Sequence, residues 1–223
     1  MVEAMTDYAR EREAMVERQL KRRGITERHI LDAFLAVPRE AFIGAEYAHL
    51  AYGDHPLPIE ANQTISQPYI VALMIQAARI KTSDTVLEVG AGSGYAAAVI
   101  GCIAARVVAI ERQHDLVEVA RQRLESLGYS NVLIVEGDGT RGCPDEAPFD
   151  AILAAASGSH VPVTLIAQLA PSGRIVMPLG EPGLAQELVK VTKQDDGILK
   201  QENLGGVRFV PLIGEEGWSD ARH

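Results

Sequence analysis

Residues 85–95 read Thr-Val-Leu-Glu-Val-Gly-Ala-Gly-Ser-Gly-Tyr. Val86, Leu87 and Val89 form a short apolar run of the kind a buried strand needs. The run stops at three alternating glycines, Gly90, Gly92 and Gly94. Behind them "YAAAVIGCIA" continues as a helical segment. Glycines at such a turn permit positive φ and let a ligand approach the backbone closely. The helix that follows offers unpaired N–H groups at its start. A dinucleotide site calls for G-x-G-x-x-G; the tighter G-x-G-x-G spacing here favours a smaller ligand without a pyrophosphate.

Downstream, the same alternation repeats. Strand-like runs at 106–111, 131–138, 149–155 and 173–180 are separated by helical patterns at 116–128, closing on Gly128, and around 162–170. Two further strand-like segments, 187–193 and 207–213, have no helix pattern between them. This order predicts an α/β, doubly wound, mostly parallel, seven-stranded Rossmann-like sheet with an antiparallel strand at its terminal end.

Upstream lies helical sequence. A charged helix over 7–23 is expected between a Thr6 cap and a Gly24 stop. A second helix starts near Glu27 and ends before Pro38. Residues 38–65 read as an extended lead-in, and a third helix begins near Pro68. The expected organisation is one domain over 1–223. Residues 1–80 are a helical extension with a substrate loop, 81–215 the ligand-binding α/β core with the terminal strands, and 216–223 a tail.

Two acids complete the pattern at the strand ends. Glu111 ends the second strand, where a carboxylate accepts both ribose hydroxyls of a nucleoside. Asp138, within Gly-Asp-Gly 137–139, is placed to accept from an adenine amine, with Gly139 giving the base room. In an open parallel sheet, ligands bind in the crevice at the strands' carboxyl ends. Glu88 is either a partner for a cationic ligand group or a buried acid paired elsewhere.

Composition narrows the classes. The formal charge of −9 argues against a protein that lives on nucleic-acid phosphates. Cys102 and Cys143 are too far apart for a metal-ligand spacing, and the histidines are scattered, so no metal is expected. Cys102 is expected in the core of its helix, and Arg121 and Arg123 on an exposed helix face. The N-terminus lacks an apolar signal region, and the longest apolar run, Tyr95 to Ala105, is too short to span a bilayer. The expectation is a cytoplasmic monomer without nucleic-acid or membrane partners.

One further stretch needs an explanation. "NQTISQPYI" at 62–70 packs five uncharged polar side chains before a proline and an apolar helix, where a single cap would suffice. Ser66 is either that cap or a functional hydroxyl.

The glycine turn resembles motif I of class I S-adenosylmethionine-dependent methyltransferases. A narrower resemblance comes from "AVPREAFI" (36–43), "LPIEANQTISQPYIVALM" (57–74), "VLEVGAGSGY" (86–95), "APFDAILAAA" (147–156) and "VRFVPL" (207–212). In this order they resemble the protein-L-isoaspartate O-methyltransferase family over about residues 10 to 215. That resemblance implies methyl transfer from S-adenosyl-L-methionine to the α-carboxylate of L-isoaspartyl residues in damaged proteins. The ester then closes to a succinimide, and S-adenosyl-L-homocysteine is left. It assigns Ser66 to the active site. It assigns Gln63, Thr64, Ile65, Glu88, Gly90, Gly92, Gly94, Glu111, Asp138 and Gly139 to the cofactor. Leu57, Pro58, Ser66, Val207, Phe209 and Val210 go to the acceptor. Two places depart from the family pattern, Glu60-Ala61-Asn62 and Ala156-Ser157-Gly158. They keep open a methyltransferase for another carboxylate or small-molecule acceptor; a non-catalytic cofactor-binding module is the third reading.

The chemistry suits a sparse site. An α-carboxyl has a pKa of about 3.3–3.7 and is ionised at neutral pH without a base. Positioning and removal of water then dominate.

Overall fold

The computed structural model describes residues 7–194 and 196–220. The chain opens with helix α1 (Tyr8–Met15), which runs on through a π turn, Val16–Leu20, and a 3₁₀ turn, Lys21–Arg23. Gly24 ends it at φ +93°, as the sequence suggested. Thr6, the expected cap, lies outside the described residues; the Asp7 carboxylate accepts from the Arg10 N–H at 3.2 Å instead. Helix α2 (Arg28–Ala36) buries Ile30, Ala33 and Phe34 and stops before Pro38. The expected extended lead-in is more structured than that. It holds 3₁₀ turns at Arg39–Phe42, Ala45–Leu50 and Glu60–Asn62, and a small antiparallel hairpin of β1 (Leu57–Pro58) and β2 (Thr64–Ile65). Helix α3 (Pro68–Ala78) follows, with proline at its first position.

The α/β part contains β3 (Thr85–Val89), α4 (Tyr95–Gly101), β4 (Arg106–Glu111), α5 (His114–Ser126), β5 (Val132–Glu136), β6 (Phe149–Ala154), α6 (Val163–Ala167), β7 (Leu169–Leu179), β8 (Gln186–Lys193) and β9 (Leu199–Val207). Seven strands form one sheet in the order β5-β4-β3-β6-β7-β8-β9. The first five are parallel, and β8 and β9 join through antiparallel ladders. The period of two is visible in β3. Val86 packs into the core shared with α2, α3 and α4, while Leu87 and Val89 face the core under α6. Met15, Leu20, Ile30, Phe34 and Phe42 belong to the first of these cores, so the N-terminal helices and the sheet exclude water together.

Several expectations need correction. Helix α6 is only five residues long, because Leu169 is already paired with Phe149 of β6 and draws the chain into the sheet. The last strand is Leu199–Val207, not 207–213. Its sequence "LKQENLGGV" is polar because it forms an exposed edge, so apolar alternation did not mark it. Residues 208–213 instead cross the strand ends, touching the sheet through a bridge between Ser157 and Pro211. Residues 216–220 pack against the body rather than trailing as a tail. The Glu216 carboxylate accepts from the N–H groups of Val163 and Thr164, and the Trp218 indole N–H donates to the Ser157 carbonyl at 2.9 Å. Cys102 is exposed at the end of α4, not in its core. Arg123 is largely covered, and its guanidinium meets Glu60 at 2.7 Å.

Candidate active site

The carboxyl ends of β3, β4 and β6 open into a cleft of about 850 Å³. Its floor is the glycine turn. Gly90, Gly92 and Gly94 all have φ between +52° and +89°, the left-handed region where a side chain would be strained. Glu111, almost wholly buried, stands beside the turn. Its Oε1 accepts from the N–H groups of Arg112 at 2.8 Å and Gln113 at 2.9 Å, and its Oε2 from Gly92 at 3.0 Å. Three backbone donors thus lock its orientation, and of a carboxylate's roughly four lone-pair sites one, on Oε2, is left for a ligand hydroxyl.

Glu88, the other acid on the floor, is buried, and its Oε2 has no hydrogen-bond partner. Burial first, and then the nearby Glu111 charge, push its pKa well above the usual carboxylate range. An orphaned acid oxygen in a cleft fits a cationic or N–H-bearing ligand group. Glu88 lines the cleft, and among the described residues it pairs with no cation.

Asp138 does not line the cleft, although Gly139 does. Asp138 Oδ1 accepts from the Thr140 N–H at 2.8 Å and the Thr140 hydroxyl at 2.7 Å, and Oδ2 accepts from the Glu215 N–H at 2.8 Å. Burial opposes ionisation, but these donors and Arg141 outweigh it, and the pKa lies below the ordinary value. In this structure the carboxylate ties the 214–216 loop down, away from the cleft lining where an adenine contact was expected. Gly214 is part of the same fit, since a Cβ there would lie 2.0 Å from Asp138 Oδ1.

The opposite wall comes from the chain's two irregular segments. Gln63, Thr64, Ile65, Ser66 and Gln67 line it from the N-terminal side, and Phe209, Val210 and Leu212 from the C-terminal side. Ser66 does not cap α3. That helix has no side-chain cap, and the amide of Gln67, its N-cap residue, donates to Asp54 Oδ2 at 2.7 Å. The Ser66 hydroxyl makes no hydrogen bond among the described residues. Leu57 and Pro58 do not reach the cleft; Leu57 is buried in the hairpin, and Pro56 lines the wall instead. Val207 ends β9 just outside the lining set.

Two residues that sequence reasoning passed over hold this wall in place. Arg39 is fully buried. Its guanidinium donates to the carbonyls of Ala51 at 2.5 Å and Ser66 at 2.9 Å, and its carbon lies 5.6 Å from the centre of the Tyr95 ring. Burial lowers its pKa, against the pull of Tyr95, Tyr52 and Asp54. Gln186, also buried, holds Phe209 from both sides. Its Oε1 accepts from the Phe209 N–H at 2.7 Å, and its Nε2 donates to the Phe209 carbonyl at 3.1 Å and to Ser157 Oγ at 2.9 Å. A buried amide that satisfies both backbone groups of one residue acts as a missing strand neighbour. An Arg after a proline and a Gln opening a strand carry no sequence signal that distinguishes them from surface residues.

The segment order and the cleft agree with what comparison finds. A sequence model for "Protein-L-isoaspartate(D-aspartate) O-methyltransferase" matches residues 10–217. The chain belongs to that family. A protein-L-isoaspartate O-methyltransferase of Rhodopseudomonas palustris is 53% identical over 92% of this chain and 94% of its own length. Protein-L-isoaspartate O-methyltransferase 2 of Pelobacter propionicus is 52% identical over 93% and 92%. Among solved structures, one protein-L-isoaspartate O-methyltransferase superposes with a TM-score of 0.84 at 32% identity, covering 92% of this chain and 66% of that one. A Plasmodium falciparum member, solved with S-adenosyl-L-homocysteine, superposes at 0.78 with 27% identity over 91% of this chain and 98% of its own. Among the described residues no cluster of three potential metal ligands exists, and no helix is long and apolar enough to cross a membrane.

Proposed function

We propose that this family member repairs damaged proteins by methylating the α-carboxylate of L-isoaspartyl residues, with Ser66 as the orienting group. S-adenosyl-L-methionine supplies an already activated methyl group when bound. Glu111 would take a ribose hydroxyl, Glu88 the amino group, and the Gly90–Gly94 turn and Gly139 the close backbone approach. Gln63, Thr64 and Ile65 close the same side. The acceptor would enter between Ser66 and the Phe209–Val210 segment.

The observation that carries the reading is the Ser66 hydroxyl, which lines the wall, does not cap the helix that follows it and makes no hydrogen bond among the described residues. A hydroxyl donates to one carboxylate oxygen and leaves the other free to attack. A lysine or arginine at that point would hold the acid more strongly and damp its nucleophilicity. The cleft strips water from the acceptor acid, which in bulk solvent is a poor nucleophile.

We further propose one catalytic unit over the chain, with residues 1–80 building the acceptor wall. It would work as a cytoplasmic monomer, with no nucleic-acid or membrane partner. The two free cysteines are consistent with a reducing compartment.

The test uses methyl-labelled S-adenosyl-L-methionine and peptides that differ only in Asp or L-isoAsp at one position. Volatile labelled methanol released by base from the isoAsp peptide alone is the expected result. Equal labelling of both peptides, or of neither, overturns the assignment.

A further inference from the structure

The cleft must admit an anion, yet acidic side chains outnumber the cationic ones that line it among the described residues. Glu88, Glu111 and Asp220 line it, and the chain carries a formal charge of −9. Two cations line it as well, Arg112 and Arg208. Arg112 is neutralised locally, because its Nη2 lies 2.9 Å from Asp220 Oδ2. Arg208 is different. Its side chain is exposed, and it makes no ion pair or hydrogen bond among the described residues. Its backbone is nevertheless fixed on both sides: Val207 pairs with Gln186 across the sheet, and the Gln186 amide holds the N–H and carbonyl of Phe209. A free guanidinium on a fixed stretch of backbone, at the mouth of an acid-lined cleft, is an electrostatic receptor for an incoming carboxylate.

We propose that Arg208 captures the acceptor's carboxylate at the entrance and passes it to Ser66, so that it sets selectivity for anionic acceptors. This rests on the methylation reading above. The guanidinium is exposed, so its attraction acts in a high dielectric and is weak enough to release the acid. Its effect therefore falls on encounter and binding rather than on methyl transfer. Such steering is screened over a Debye length of about 8 Å at physiological salt. It is strongest at low ionic strength.

The experiment compares wild type, Arg208→Gln, Arg208→Lys and Arg208→Glu with an isoAsp peptide whose other residues are neutral. At roughly 20 mM ionic strength, Arg208→Gln raises KM about tenfold with a much smaller change in kcat, and at roughly 500 mM the gap shrinks to about twofold. Arg208→Lys keeps most of the wild-type salt dependence. Arg208→Glu reverses its sign, so that kcat/KM rises with salt. Arg28→Gln, the same charge change at a remote exposed site, leaves KM and the salt slope as they were. Trp218, the only tryptophan, lines the same cleft, so quenching of its fluorescence by the peptide in the presence of S-adenosyl-L-homocysteine reads binding without turnover. Wild-type peptide affinity that falls with salt, and loses that dependence in Arg208→Gln, supports the inference even if no methyl ester forms; that pattern would count against the repair reading alone. Equal KM, equal peptide affinity and equal salt slopes in wild type and Arg208→Gln overturn it.

Discussion

The two walls of the cleft are built on different principles. The wall proposed to hold the cofactor is made of consecutive strand ends. Gly90 and Gly92 follow β3, Glu111 is the last residue of β4 and Gly139 lies just beyond β5, and parallel pairing brings those ends to one level. The acceptor wall has no such scaffold. Residues 56–67 precede the sheet and residues 208–220 follow it; the first pairs only with itself, in the β1–β2 hairpin, and the second meets the body through an isolated bridge, so neither is a strand of the seven-stranded sheet. Arg39, Gln186, Asp138 and Trp218 hold them instead, each through side-chain hydrogen bonds to backbone. A wall made of strand ends is local in sequence and carries its own motif. A wall made of loops depends on distant side chains that leave no local pattern.

The comparison can be broken most directly at Glu111. Glu111→Ala removes a charge-assisted hydrogen bond worth about 1.5–3 kcal/mol, so the cofactor dissociation constant should rise about 100-fold. Calorimetric titration with S-adenosyl-L-homocysteine measures it. An unchanged constant would place the ribose elsewhere and remove the basis for treating the strand ends as the cofactor wall.

Ser66→Ala should act on the other side. Loss of one preorganised donor is expected to lower kcat about 30-fold, with the cofactor constant little altered. Single-turnover kinetics at saturating cofactor check this; a wild-type rate would take Ser66 out of the reaction.

A smaller effect is expected at Gln186, which touches neither reactant. Gln186→Ala frees the Phe209 backbone and leaves its N–H and carbonyl without their partner. KM for the isoAsp peptide should rise about fivefold, or about 1 kcal/mol, while cofactor affinity stays near wild type. Parallel loss of both affinities, tracking a fall in melting temperature, would mean that Gln186 supports the fold as a whole and not the acceptor wall.

Much of the fold was legible because its signals are periodic. The runs at 85–89, 106–111 and 149–154 are apolar enough to be buried on both faces, and glycines mark the turn and Gly128 the end of α5. The edge strand 199–207 was missed because an edge facing water needs no apolar alternation. Residues 207–213 were read as a strand because their apolar side chains serve a cleft wall and look the same in sequence. Asp138 shows the matching limit for the site. Its position after β5 was right, but the direction of its carboxylate was set by Thr140 and by Glu215, 77 residues later in the chain.

By itself the sequence determined the parallel sheet, the glycine turn, the acid after β4 and the family to which the chain belongs. Each of these depends on neighbours within a few residues, where hydrophobic period and backbone freedom decide the outcome. Only the tertiary structure decided that, among the described residues, the Ser66 hydroxyl and the Arg208 guanidinium have no partner, and that Asp138 braces a loop. Those facts depend on which hydrogen-bonding groups meet across the fold. Buried polar groups must find partners wherever packing places them, and a linear pattern does not encode that pairing.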